Sequence, residues 1–171
     1  MSLLKSQALA KKLSISKSVN NQHSIIGLSC LANDYRLLYF ASKSLGFSFN
    51  KLEDLPLYGR KDKLGDFSFY HFADEEKHLN YYLFSNKNQG RIAISAYRNF
   101  DYFLLIDEKI STPFQVDLLN KLRKIPILQA AMNIPTHSLK DLDILLEDIE
   151  LHLISLHKKE KQKQLLWTKK I

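Results

Sequence analysis

Phe100-Asp101-Tyr102-Phe103-Leu104-Leu105-Ile106-Asp107 is the stretch on which the fold of this chain turns. Its apolar side chains follow one another without alternation, so a strand here would be buried on both faces. Such a strand needs a covering layer on each side, which places it at the centre of a sheet and not at an edge. On a strand, neighbouring side chains point to opposite faces, so Asp101 and Tyr102 do not make one acid–base pair. Asp101 is expected to accept hydrogen bonds from loop amides, and Tyr102 to pack at the core edge with its hydroxyl satisfied.

Beyond Asp107-Glu108-Lys109 lies a helix start, with Thr112 read as N-cap, Pro113 at N1 and Gln115 at N3. Ile125-Pro126 stops that helix, because a residue before proline avoids the helical region, and Ile127–Met132 reads as the next strand. In the other direction, Leu79–Phe84 and Phe67–Phe72 form a hairpin around the charged turn Asp74-Glu75-Glu76-Lys77. Pro56, Gly59 and Gly65 mark residues 57–66 as a charged loop, and Phe47 and Phe49 suggest a strand running toward Leu52. Asn33 is the expected N-cap of a helix over residues 34–45 closed by Gly46, preceded by a first strand at residues 24–30. Ser138 with Asp141 predicts the start of a last helix, whose stripe is Leu142, Leu145, Ile149, Leu153 and Leu156. The fold class is α+β: a mainly antiparallel sheet with two β-α-β units, a ferredoxin-like relative with an added hairpin and a long C-terminal helix.

Charge separates the ends from the middle. The net charge is +7, yet residues 1–20 hold four lysines and no acid, and residues 158–171 hold six lysines and one glutamate. The 137 residues between them carry 15 basic and 17 acidic groups, a slight negative excess. The predicted organisation is therefore a basic flexible tail at 1–22, one domain at 23–157 and a basic, helix-compatible extension at 158–171. A lone cysteine, Cys30, excludes an internal disulfide framework, and with no secretory pattern it points to a cytoplasmic protein. No apolar run approaches the ~20 residues of a membrane-spanning helix, so no membrane partner is expected.

Ile94-Ser95-Ala96-Tyr97-Arg98-Asn99-Phe100-Asp101-Tyr102 resembles the signature of the IPExxxVDY family, a small bacterial family. Ile94, Asp101 and Tyr102 match the named letters, while Ser95 replaces the proline, Ala96 the glutamate and Phe100 the valine. Asn33-Asp34-Tyr35-Arg36-Leu37, Glu53-Asp54-Leu55, Tyr81-Tyr82-Leu83 and Leu122-Arg123-Lys124-Ile125-Pro126 are similar to its other landmarks, in the same order. The resemblance covers roughly residues 24–134. It implies a cytoplasmic α+β protein of this size and no particular reaction.

The residues assemble no catalytic, cofactor or metal signature. The five glycines are isolated, so no phosphate-cradling loop is present in the sequence. His71, Asp74, Glu75 and His78 surround one turn without a ligand spacing that chemistry explains. Asp34-Tyr35-Arg36 opens the first helix, either as an exposed patch for a partner or as a cap with a local Asp–Arg pair. Lys158, Lys159, Lys161 and Lys163 are the candidate phosphate contacts. The expectation is a non-catalytic interaction module with no cofactor, whose partner is another protein or a second copy. The alternative is an RNA- or ribosome-associated factor that uses its basic tails. A small-molecule site would require a concave pocket where ionisable groups converge.

Overall fold

The computed structural model describes residues 22–168. The expected basic tail at 1–22 lies, apart from Gln22, outside them. Ten strands are present among the described residues: β1 Ser24–Cys30, β2 Asn50–Lys51, β3 Leu55–Tyr58, β4 Lys63–Phe67, β5 Phe69–Asp74, β6 Leu79–Ser85, β7 Lys87–Asn88, β8 Arg91–Ile92, β9 Tyr102–Ile106 and β10 Leu128–Ile134. The helices are α1 Asp34–Leu45, α2 Thr112–Arg123 and α3 Leu142–Thr168, with single 3-10 turns at Ser95–Tyr97 and Thr136–Ser138.

Six strands form one sheet in the order β10-β1-β9-β6-β5-β2, and every neighbouring pair is antiparallel. β1 and β6 therefore run parallel on either side of β9, while β9 and β10 run parallel on either side of β1. Counting β1, β6, β9 and β10 as the first to fourth strands, the order 4-1-3-2 is ferredoxin-like. The two β-α-β crossovers interleave. The strand that directly follows α1 shrinks to Asn50–Lys51 at the far edge, and β6 is the parallel mate of β1.

All five residues of β9 are buried, as the uninterrupted apolar run requires. Leu104 lies between Ile26 and Leu83 on the face covered by α1 and α2, and Leu37, Leu118 and Leu122 close over them. Phe103 and Leu105 face the opposite layer, built from Leu55, Leu57 and Phe67 together with Leu142, Leu145 and Ile149 of α3. That second layer corrects the loop expected over residues 57–66: most of it belongs to a β3–β4 hairpin, paired from Leu55 with Phe67 to Tyr58 with Lys63. Pro56 is tolerated because this hairpin is a separate two-stranded sheet, with edges where a missing N–H costs no ladder bond.

Two helix starts also differ from expectation by small shifts. Ser111, not Thr112, caps α2, its Oγ accepting from the Phe114 N–H at 3.4 Å, so Gln115 is released to donate to Asn133 Oδ1 at 2.5 Å. Ser138 sits in the second 3-10 turn, and α3 begins four residues later, where the Asp141 carbonyl accepts from the Leu145 N–H at 3.1 Å. α1 ends as expected on Gly46, whose φ of +71° favours a residue without Cβ, and its N–H donates to Ser42 O.

At Gly27 the sheet leaves no room for a side chain. A Cβ there would lie 2.8 Å from two atoms of the Phe100 ring, which packs against the bare backbone of β1. Gly27→Ala is expected to displace that ring and cost about 1–3 kcal/mol, the range for overpacking a filled core. Urea or thermal unfolding of the variant measures it.

Candidate functional site

The predicted site residues divide between one corner of the sheet, one buried linkage and the end of α3. At the corner, β1 turns into α1 beside the start of β9. Asp101 Oδ2 accepts from the Cys30 N–H at 2.8 Å, and Oδ1 pairs with Lys87 Nζ at 2.8 Å. Tyr102 is buried with its hydroxyl donating to Ala32 O at 3.4 Å. Both residues thus hold the β1–α1 turn, but Asp101 precedes β9, so the alternation expected of the pair does not apply and the two side chains reach the same corner.

Asp34 joins the same corner from α1. Its Oδ1 accepts from the Tyr35 N–H at 2.8 Å, and its Oδ2 accepts from the Tyr70 hydroxyl. The expected Asp34–Arg36 pair is thereby corrected: the carboxylate is engaged by the buried Tyr70, and no ion pair joins it to Arg36 among the described residues. Tyr35 and Arg36 face outward. Burial, then the hydrogen bond to Asp34, raises the Tyr70 hydroxyl above the usual tyrosine range. Burial, then the Asp34 carboxylate, pushes Tyr102 up to about 12. Burial likewise raises the Cys30 thiol, with Asp101 adding to the shift, so the thiol stays protonated near neutral pH and is a weak nucleophile.

Ile94, the remaining motif position, is tied to this corner by a residue the sequence does not advertise. Asn86 is fully buried and uses its backbone and side chain together. Its N–H donates to Asp101 O at 2.8 Å, its carbonyl accepts from the Ala93 N–H, and its Oδ1 accepts from the Ile94 N–H at 2.8 Å. Its Nδ2 donates to Phe100 O at 2.9 Å and Tyr97 O at 3.1 Å. One amide side chain therefore shapes the whole segment from Ala93 to Asp101 and delivers β9 to its place.

The four residues around the β5–β6 turn do not converge on an ion. His71 Nε2 meets Asn80 Oδ1 at 2.8 Å, and Asp74 accepts from both the backbone N–H and Nζ of Lys77. No group of three His, Cys, Asp or Glu side chains suited to a metal occurs among the described residues.

Two features lie away from these anchors. A cleft of about 820 Å³ opens between the tip of the β3–β4 hairpin, the 3-10 turn that carries Ala96, and the first turns of α3. Arg60 and Asp141 bridge its walls, with Arg60 Nε 2.9 Å and Nη2 2.8 Å from Asp141 Oδ1. Asp148 Oδ2 accepts from the Tyr58 N–H at 2.8 Å, and burial raises its carboxyl above the usual range. The second feature is the distal part of α3. Lys158, Lys159, Lys161 and Lys163 lie on an exposed continuation of the helix, and Lys159 Nζ pairs with Glu53 at 2.6 Å. No described helix is long and apolar enough to cross a membrane.

Comparison of the chain with protein-family models, with curated proteins and with solved structures finds no match.

Asn86→Ala removes three side-chain hydrogen bonds and strands the Ile94 N–H and the Phe100 carbonyl, while the Tyr97 carbonyl keeps the Phe100 N–H. A loss of about 2–4 kcal/mol is expected, from one to three for each buried group left unpaired, partly relieved by entry of water. Denaturant titration of the variant checks the size, and slower folding is not required.

Proposed function

We propose that this chain is a non-catalytic protein-interaction module of the cytoplasm, and that the distal part of α3 is its docking element. The observation that carries this reading is the exposure of α3 beyond the domain. From Lys158 to Thr168 every side chain is exposed, a span of about 16 Å at 1.5 Å per residue. Helices of this length are marginal in water without tertiary support. Yet the segment ends in Leu165, Leu166 and Trp167, with Trp167 73 % exposed. Three large apolar groups at the tip of an unsupported helix are the features of a surface completed by a partner.

Spacing and charge favour a different protein over a second copy. Leu151, Ile154, Lys158, Lys161 and Leu165 recur at alternating three- and four-residue steps along one exposed stripe of α3. Paired with itself, that seam would bring lysines opposite lysines. A partner helix with acids at its centre and apolar residues at its ends would complement it. The buried, unpaired thiol of Cys30 suits a reducing compartment. Kinship with the IPExxxVDY family is part of the proposal, supported by the way Ile94, Asp101, Tyr102 and Asp34 are linked through one corner of the sheet.

The alternative is RNA binding by the same helix. Lys158, Lys161 and Lys163 have no carboxylate partner among the described residues, and Trp167 offers a stacking face. A photo-crosslinker at position 166 in cells separates the two. The protein reading predicts adducts with a discrete acidic protein, competed away by the unlabelled full-length chain but not by one that ends at His157. Adducts with RNA, released by nuclease and weakened steeply by salt, would replace it with the alternative. The shortened chain is expected to keep its thermal stability within about 0.5 kcal/mol, because among the described residues only exposed side chains and one exposed ion pair are removed.

A further inference from the structure

The cleft beside the 3-10 turn combines an apolar floor with more cation than its own acids neutralise. Leu57, Leu139, Leu142 and Leu145 form its buried base, and Leu64 and Ile94 its half-buried walls. Its volume of about 820 Å³ falls within the range of small-molecule sites, ~300–1,000 Å³. Lys61, Arg98 and Lys140 line the opening, each exposed and each without a carboxylate partner among the described residues. Of the three acids lining it, Asp141 is paired with Arg60, and Asp148, which accepts from the Tyr58 N–H, and Asp62 face the three remaining cations, an excess of one positive charge.

We propose that this cleft binds a small molecule that carries a carboxylate on an apolar body. The body would lie on the leucine floor, where burial of apolar area drives association. The carboxylate would meet Arg98, whose planar fork matches its two oxygens, with Lys61 and Lys140 adding charge. The Arg60–Asp141 bridge spans the mouth, and its two side chains are 71 % and 56 % exposed. Exposed pairs of this kind contribute little, so the hairpin tip can move aside at small cost. The site lies on the hairpin and the first turns of α3, apart from the distal docking segment, and the two proposals stand or fall separately.

Octanoate is a suitable probe for the full-length chain, followed by titration calorimetry or by amide shifts of residues 57–64 and 92–98. Saturable binding of octanoate is expected, with octylamine and inorganic phosphate each binding at least tenfold more weakly. Arg98→Glu combined with Lys140→Glu should lower octanoate affinity by about tenfold or more, since charge-assisted contacts are lost and reversed. Ala96→Trp fills the opening from an exposed position and should lower it comparably, with an unchanged melting curve. Lys121→Glu, on the opposite face of the sheet, should leave it unaltered. No saturable octanoate binding, equal binding of octylamine, or equal losses in the Lys121 variant would each overturn the proposal.

Discussion

Everything in this structure depends on burying β9 from both sides. A strand with Leu104 on one face and Phe103 and Leu105 on the other has no stable place without two covers. α1 and α2 provide one cover, and the β3–β4 hairpin with the first half of α3 provides the other. The insertion between α1 and β6 is thus no decoration on a ferredoxin-like core. It forms half of the second layer, and α3 completes it. Asn86 and Asp101 set where β9 begins, by fixing the segment that precedes it and the turn that faces it.

This constraint explains which parts of the fold can be read from the chain. Local signals survive translation well. The apolar run from Tyr102 to Ile106, the glycine after α1 and the proline after α2 act within a few residues, so their consequences appear where expected. Pairings across long separations do not. The hairpin at residues 55–67 carries Pro56, Gly59 and Gly65, which in isolation spell a loop, and only packing of Leu55, Leu57 and Phe67 against α3 makes it a layer. Ser111 and Thr112 are both good caps, and sequence alone does not rank them. Asn86 sits beside a turn, where asparagine is common, so nothing marks it as the fully buried member of a hydrogen-bond network.

The candidate site shows the same division. The anchoring roles expected of Asp101 and Tyr102 agree with their partners on Cys30 and Ala32, but Asp101 precedes β9, so strand alternation is not what assigns them. The pairing of Asp34 with Tyr70 joins residues 36 apart and was not legible. Nor was the cleft, whose walls come from three segments far apart in the chain. The polar groups of the corner are occupied in holding the fold, and their pKa shifts follow from burial. Both proposed recognition surfaces, the cleft mouth and the distal helix, lie at the periphery of the described residues.

The proposed docking role of α3 requires a domain that is complete by His157 and a distal helix that gains its order only from a partner. Native-state hydrogen exchange on the isolated chain tests this most directly. Amides of residues 160–168 are expected to exchange nearly as fast as in a free peptide, while those of β9 exchange only through global unfolding. Protection of the distal helix equal to that of β9 in the isolated chain would contradict it.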